Sequence, residues 1–277
     1  MGMRISTNVA SINAQKTLVN TQKSIANSMA QLSSGSRINK SADDAAGLGI
    51  SESLKAQMRS SAQASRNAYD GISMVQVAEG GLNEIGNILT RVRELGIQAS
   101  SDTVGEREKG YIQLEVGQLK QEVDRIAKTT RFGQTSLLDG QGKSYAIQVG
   151  IHNNDFEDRI TFDSSMLNAT LGELGLDDVN FSSKDGAQSA LENIDAAQAK
   201  VASFRANIGA LQNRFQSTVD NLSVQNENLS AANSRIRDAD IAASTAELAR
   251  NSVLLSASTS VLAQANQQPQ LALKLIG

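Results

Sequence analysis

The chain has 277 residues, of which 40% are hydrophobic and 20% charged but only 3% aromatic, with no cysteine and a net charge of −3. It can bury a core, although the shortage of large rings argues against a compact core, and the lack of cysteine excludes disulfides and thiol chemistry. Dispersed Lys and Arg argue against nucleic acid as a partner, and the absence of any long apolar run argues against a membrane span or a signal peptide.

The first predicted element is a helix over residues 4–34. Apolar residues recur at steps of three and four along one face, and Ser, Asn, Gln and Lys occupy the other. A cluster of small residues around Gly35 ends the pattern. The apolar residues of this face are Ile5, Val9, Ile12, Leu18 or Val19, Ile25, Met29 and Leu32.

A second helix is predicted from Asp44 to about Gln98. Ser41 followed by Asp44 resembles a capping box at its start. Glycine weakens a helix by up to about 1 kcal/mol per residue. Its recurrence therefore indicates either close contact of the helix backbone with a neighbour or a local break near Gly80 and Gly81. The glycines lie at positions 71, 80, 81, 86 and 96.

A third helix is predicted after Thr103 and Glu106, which form another capping-box pattern. Its apolar stripe has regular four-three spacing, and we expect the helix to fold back on the second one. The stripe consists of Ile112, Val116, Leu119, Val123 and Ile126.

The character of the chain changes after residue 131. Apolar and polar residues alternate over Tyr145 to Ile151 and again at Ile160 and Phe162, which predicts a β-hairpin. Residues 164–186, rich in glycine and aspartate, are predicted to form an irregular return.

A long helix is predicted from about Ala187 to residue 240. A strict seven-residue repeat keeps one stripe of a helix facing a partner helix. The second seam of this helix turns polar and then small, which indicates close, partly hydrated association. The repeat runs through Ile194, Val201, Ile208, Phe215, Leu222, Leu229 and Ile236.

The last segment is predicted to be helical from Ala242 until Pro269, the single proline of the chain. Neither terminal helix has an apolar partner adjacent in sequence, so we expect the two ends to cover each other. The predicted fold is mainly α, an elongated antiparallel long-helix bundle or coiled coil formed by both termini, with a small central β-hairpin. Its segments are residues 1–40, 41–140, 141–186, 187–240 and 241–277.

The sequence predicts no catalytic, cofactor-binding or metal-binding residue. His152 is the single histidine, and a metal site needs several ligands in fixed geometry. The pairs Asp43 with Asp44 and Asp238 with Asp240 are interpreted as helix caps or ion pairs beside basic residues.

Several stretches at both ends resemble bacterial flagellins, in the family's order. The resemblance covers roughly residues 1–140 and 187–277. At the amino end it is carried by Ile5-Ser6-Thr7-Asn8-Val9-Ala10-Ser11, by residues 32–39 and by Asp43-Asp44-Ala45-Ala46-Gly47-Leu48. At the carboxyl end it is carried by Leu211-Gln212-Asn213-Arg214-Phe215, residues 228–232, residues 234–240 and Leu262-Ala263-Gln264-Ala265-Asn266-Gln267.

The resemblance implies a structural subunit that polymerises into the flagellar filament, with paired terminal helices forming an inner tube. The short middle, residues 141–186, leaves no room for a separate outer domain, and a single histidine rules out the zinc protease module of some members. The residues implied to pack between subunits are Ile5, Val9, Ile12, Ile25, Met29, Leu32, Leu222, Leu229, Ile236, Leu255, Leu262, Leu271 and Leu275.

The resemblance also implies partners and a location. A flagellin is exported uncleaved through the flagellar export apparatus, meets an export chaperone and the cap and junction proteins, and becomes part of an extracellular filament, in some cases with other flagellins. A vertebrate Toll-like receptor patch maps onto Leu89, Arg91, Leu95 and Glu115. The alternatives are a hook-filament junction protein, which shares the terminal helices, and a coiled-coil scaffold with no filament role.

Overall fold

The computed structural model describes residues 7–276, with the side chains described as far as residue 267. Six α-helices and two small hairpins account for most of these residues, and a 3-10 turn covers Ser164–Met166. The helices are α1 (Val9–Ser34), α2 (Ala45–Ala99), α3 (Glu106–Thr129), α4 (Leu171–Leu174), α5 (Lys184–Arg237) and α6 (Ile241–Ile276). The strands are β1 (Arg131–Phe132), β2 (Thr135–Ser136), β3 (Ser144–Gln148) and β4 (Arg159–Asp163).

The chain divides into two compact units, and the divisions fall within α2 and α5. The terminal unit comprises residues up to Gln57 and from Asn228, and the central unit comprises Met58–Glu227. The segments predicted from the sequence instead meet at residues 40 and 240, in the connectors. The structural division is different because contacts between the ends of α2 and α5 belong to the terminal unit.

In the terminal unit, α1 and α6 form an antiparallel pair, which confirms that the two ends of the chain cover each other. At one end the N–H of Ala239 donates to the carbonyl of Gly35 at 2.9 Å, and at the other the Asn8 amide donates to the carbonyl of Ala265 at 2.8 Å. The seam between the helices is built from small and polar residues. Its buried members are Ser11, Ala14, Thr21, Ser28, Ser244, Asn251 and Ala265.

In the central unit, α2, α3 and α5 share one apolar core. The chain turns back after α2, and Nη2 of Arg91 on α2 donates to Oε1 of Glu115 on α3 at 2.9 Å, as expected for a third helix that folds back on the second. The seven-residue repeat of α5 is fully buried from Ile194 to Phe215. This core therefore has the apolar character that the terminal seam lacks.

The predicted hairpin is confirmed. Strands β3 and β4 pair antiparallel, with Tyr145 opposite Phe162 and Ile147 opposite Ile160. The predicted irregular return holds the 3-10 turn and α4, and it also contributes buried residues to the core. These are Leu167, Ala169, Leu174, Leu176, Val179 and Phe181.

Both predicted capping boxes are wrong in detail. The cap of α2 is Asp44 itself, because its Oδ1 accepts from the N–H of Gly47 at 2.8 Å, and Ser41 lies in the preceding turn. The N-cap of α3 is Gly105, with no side-chain hydrogen bond. Hydroxyl and carboxylate caps compete over several adjacent residues, so sequence spacing alone does not choose among them.

Three predicted helix ends differ from the structure. Within the described residues the first helix begins at Val9, after its cap Asn8, and α5 begins at Lys184, ahead of Ala187. Ile5 of the predicted stripe lies outside the described residues. The last helix continues past Pro269 to Ile276. Proline removes the N–H that would bond to the carbonyl four residues earlier. That carbonyl belongs to Ala265, and the side chain of Asn8 supplies the missing donor.

Candidate assembly surface

The outer side of α1 exposes large apolar residues. Val9, Ile12 and Val19 follow one another at helical spacing and are 58%, 54% and 60% exposed. Met29 is exposed as well, near the other end of the helix. Single exposed apolar residues are ordinary on protein surfaces, but a row along one helix marks an interaction surface.

The apolar stripe predicted for α1 is thus divided between two sides of the helix. Leu18, Ile25 and Leu32 are half-buried in the seam with α6, whereas the row that begins with Val9 and Ile12 faces away from it. Ser11, Ala14, Thr21 and Ser28, which the sequence analysis missed, occupy the centre of the seam. The seven-residue spacing of Ala14, Thr21 and Ser28 is the signal that would have revealed the seam.

The outer side of α6 also exposes apolar residues. Val253, Leu254 and Val261 are exposed, as is Ile241 at the start of the helix. Ile50 on α2 adds a further exposed aliphatic residue to the terminal unit. The terminal unit therefore keeps polar residues inside and many apolar residues outside.

The residues predicted to pack between subunits lie in several environments. Val9, Ile12 and Met29 are exposed, and Leu222 is buried in the central unit. Leu271 and Leu275 lie on the helical backbone of α6 beyond the described side chains. The half-buried residues of the set are Ile25, Leu32, Leu229, Ile236, Leu255 and Leu262.

The predicted receptor patch is only partly at the surface. Leu89 and Leu95 are buried in the core of the central unit. Arg91 is exposed, and its Nε and Nη2 both donate to Oε1 of Glu115, at 3.1 and 2.9 Å, while Nη1 donates to Glu94 at 3.1 Å. These bonds, the one to Glu115 foremost, raise the pKa of Arg91 above its ordinary value.

Members of both predicted carboxylate pairs accept hydrogen bonds from backbone N–H groups. The carboxylate of Asp43 accepts from the N–H groups of Lys40 and Asn39, which lowers its pKa. The carboxylate of Asp240 accepts from the N–H of Ala243 at 3.1 Å, at the start of α6. Each hydrogen bond fixes a turn or a helix start.

His152 lies beside a shallow cleft of 460 Å³ between the loop of the β3–β4 hairpin and α5. The nearby Asp158 carboxylate is buried, but it accepts from the N–H groups of His152 and Asn154 and so holds the loop. Over residues 7–267 no group of three or more His, Asp or Glu side chains has a geometry that could hold a metal ion. Nor is any helix in the described part of the chain both long and apolar enough to cross a bilayer.

Comparison with known proteins identifies the family of the chain. Residues 5–143 match the family described as the bacterial flagellin N-terminal helical region, and residues 191–276 match the bacterial flagellin C-terminal helical region. A flagellin of Halalkalibacterium halodurans is 41% identical over 274 residues, 99% of this chain and 100% of that protein. The chain belongs to the flagellin family.

Other relatives agree with this flagellin assignment. The flagellar filament 33 kDa core protein of Treponema phagedenis is 38% identical over 285 residues, 99% of this chain and all of that protein. The crystal structure of Bacillus cereus flagellin is similar with a TM-score of 0.50 and 30% identity, and it covers 61% of this chain and 94% of that chain.

A flagellar hook-associated protein of Vibrio parahaemolyticus shares the fold. Its TM-score is 0.59, but its identity is only 14%, over 71% of this chain and all of that chain. The full-length sequence similarity is therefore to flagellins, and the hook-associated likeness concerns architecture alone.

Proposed function

We propose that this chain is the repeating subunit of a flagellar filament and that the outward faces of α1 and α6 join neighbouring copies. One observation carries the proposal. The terminal helices bury small polar residues between themselves and expose Val9, Ile12, Val19 and Val261. A protein that functioned as a monomer would be expected to bury the apolar residues between the helices and to expose the polar ones.

Burial of the exposed side chains would supply the free energy of association. Each Val, Ile, Leu or Met side chain contributes about 1.5 to 3 kcal/mol when it is fully removed from water. The outward face of α1 on one copy then contacts the outward face of α6 on the next copy. Such a head-to-tail contact, if it does not close into a ring, produces an open helical polymer. Ordering of the terminal helices and polymerisation are therefore coupled.

Seeded polymerisation tests the proposal. Purified chain is mixed with sheared filament fragments and followed by electron microscopy and sedimentation, and we expect long filaments from the wild type. Replacement of the exposed Ile12 by Ser is expected to raise the concentration of monomer left at equilibrium by about tenfold, because about 1.5 kcal/mol or more of apolar burial is lost.

The Ile12→Leu variant is the matched control, since it keeps an apolar side chain of the same size and is expected to polymerise like the wild type. Both variants should keep the monomer's melting temperature, because Ile12 is 54% exposed. If the wild type formed only soluble monomers or dimers on intact seeds, the filament role would be wrong and a scaffold role would be favoured.

Family membership supports a further proposal about export and partners. We propose that the chain is secreted uncleaved through the flagellar export apparatus and that a cytosolic chaperone covers its carboxyl-terminal segment. Leu271, Leu273 and Leu275 make this segment apolar, and such a surface favours aggregation when uncovered. Cap and junction proteins, and co-assembling flagellins, belong to the same proposal.

We also propose that recognition by a Toll-like receptor, as suggested by family resemblance, depends on Arg91 and Glu115. Both side chains are exposed and lie within one hydrogen-bonded group with Glu94. Leu89 and Leu95 would act from beneath, by packing α2 so that Arg91 keeps its position.

A further inference from the structure

A row of residues on α1 combines apolar and positive side chains. Val9, Lys16 and Lys23 are spaced by seven residues, and all three are exposed. At 100° per residue this row lies opposite the side that holds Ser11 and Ala14 against α6. Neither lysine forms an ion pair with any residue that the structure describes.

A second row, on the flank of α6, has the complementary character. Leu254, Glu247 and Asp240 are also spaced by seven residues, and all three are exposed. Glu247 is the sole acidic residue in the sequence of α6. Asp240 uses Oδ1 to cap the helix, at 3.1 Å from the N–H of Ala243, which leaves its other oxygen available. From Val9 to Lys23 the side chains of the α1 row are apolar, positive and positive. From Leu254 back to Asp240 the side chains of the α6 row are apolar, negative and negative.

The two rows of one chain do not face each other. Gly35 lies level with Ala239 and Asn8 with Ala265, so Lys16 is about three helical turns away from Glu247 along the pair. A neighbouring copy that points in the same direction presents its α6 antiparallel to this α1. A displacement of roughly 16 Å along the helices then places Lys16 opposite Glu247, at 1.5 Å per residue.

At that displacement the whole rows match, because both repeat every seven residues. We infer that the row of Val9, Lys16 and Lys23 on α1 docks against the row of Leu254, Glu247 and Asp240 on α6 of a second copy. Val9 then meets Leu254, and Lys23 meets Asp240. The inference rests on the proposed polymerisation and specifies which faces of two copies meet and in which register.

The charge of the terminal unit supports this pairing. Its sequence holds ten Lys and Arg against six Asp and Glu, a net charge of +4, whereas the whole chain carries 26 against 29. Copies of a positive unit repel one another, and a lysine buried at an interface without a partner is strongly unfavourable. Placing Lys16 and Lys23 against acids gives both lysines partners and lowers the repulsion at this contact.

Charge exchange between copies tests the inference. The variants Lys16→Glu and Glu247→Lys each place two like charges opposite each other, and we expect each alone to need at least about a tenfold higher concentration to extend wild-type seeds. In a one-to-one mixture, alternation of the two variants restores opposite charges at these contacts, so the mixture is expected to polymerise near the wild-type concentration. The double variant Lys16→Glu/Glu247→Lys is expected to do so by itself.

The Lys40→Glu variant is the control for net charge, because it makes the same change in the connector after α1 and is expected to polymerise like the wild type. If Lys16→Glu also polymerised like the wild type, or if neither the mixture nor the double variant restored growth, the docking of these rows would be wrong while the filament role stood. Failure of the wild type itself on intact seeds would overturn both.

Discussion

Gly71 lies in the middle of α2 with an aromatic ring against its backbone. A Cβ atom at this position would lie 2.8 Å from Cζ of Phe215 and 3.2 Å from Cδ1 of Ile147. Phe215 is fully buried, so its ring has no free space into which to move. A side chain at position 71 would therefore collide with the ring of Phe215 and come close to Ile147.

The Gly71→Ala variant is therefore expected to lower the free energy of unfolding by about 1 to 3 kcal/mol through overpacking. Gly80→Ala is the matched control on the same helix, because a Cβ there meets nothing within 4 Å. It is expected to stabilise the chain by about 0.5 to 1 kcal/mol, as alanine favours helix. Urea unfolding of the monomer measures both, and equal changes in the two variants would contradict the packing argument.

The recurring glycines of α2 test a prediction made from single residues. Their recurrence predicted either close contacts or a break, and the structure supports the first alternative, with α2 continuous from Ala45 to Ala99. Added Cβ atoms would also clash with Thr130 and Leu138 at Gly81 and contact Leu191 closely at Gly96. Gly80 has no such contact, and nothing in its surroundings explains it.

At the scale of elements, Asn8 connects the start of α1 to the last turns of α6. Its Oδ1 accepts from the N–H of Ser11 at 3.1 Å and caps α1, while its Nδ2 donates at 2.8 Å to the Ala265 carbonyl that Pro269 leaves without a donor. Ser11 adds a second bond, from its hydroxyl to the side chain of Asn266 at 2.8 Å. These bonds fix the register of the pair at this end.

A double-mutant cycle tests the coupling of Asn8 to Pro269. The Asn8→Asp variant keeps a capping oxygen but loses the donor, and we expect it to destabilise the helix pair by about 1 to 3 kcal/mol because a carbonyl is left unpaired. In a Pro269→Ala background the helix supplies its own N–H to Ala265, so the loss should become clearly smaller. Thermal depolymerisation of filaments gives the four stabilities, and strict additivity would contradict the coupling.

At the scale of the whole molecule, the two units differ in what holds them together. The central unit has a continuous apolar core that includes Leu82, Leu89 and Phe215. The terminal unit buries Ser, Thr and Asn in its seam, and Nδ2 of Asn251 is buried without a hydrogen-bond partner among the described residues. Burial of so little apolar surface does not offset the ordering of two long helices.

Hydrogen exchange compares the two units directly. In the monomer, we expect amides of α1 and α6 to exchange within seconds and the core amides of α3 and of α5 near Ile208 to be protected. In the filament, α1 and α6 should become protected as well, because neighbouring copies cover their apolar faces. Similar protection of α1 in monomer and filament would contradict the coupling of ordering to polymerisation.

The sequence by itself determined the helices, the hairpin and the family. Seven-residue and three-four spacings of apolar residues are typical of helices that pack against a partner, and strict alternation around Ile147 is typical of a strand. It also predicted that the first and last helices pair, because neither has an apolar partner adjacent in sequence.

Only the tertiary structure decided which side of α1 faces α6. Hydropathy alone favours burial of Val9 and Ile12, yet Ser11, Ala14 and Thr21 are buried because small side chains let two helices approach closely and hydrogen-bond at their ends. The carbonyl that accepts from Asn8 is likewise invisible in the sequence, since a bond between residues 257 positions apart exists only after the helices have paired. Local periodicity sets each element, whereas the choice of faces depends on how closely two elements approach.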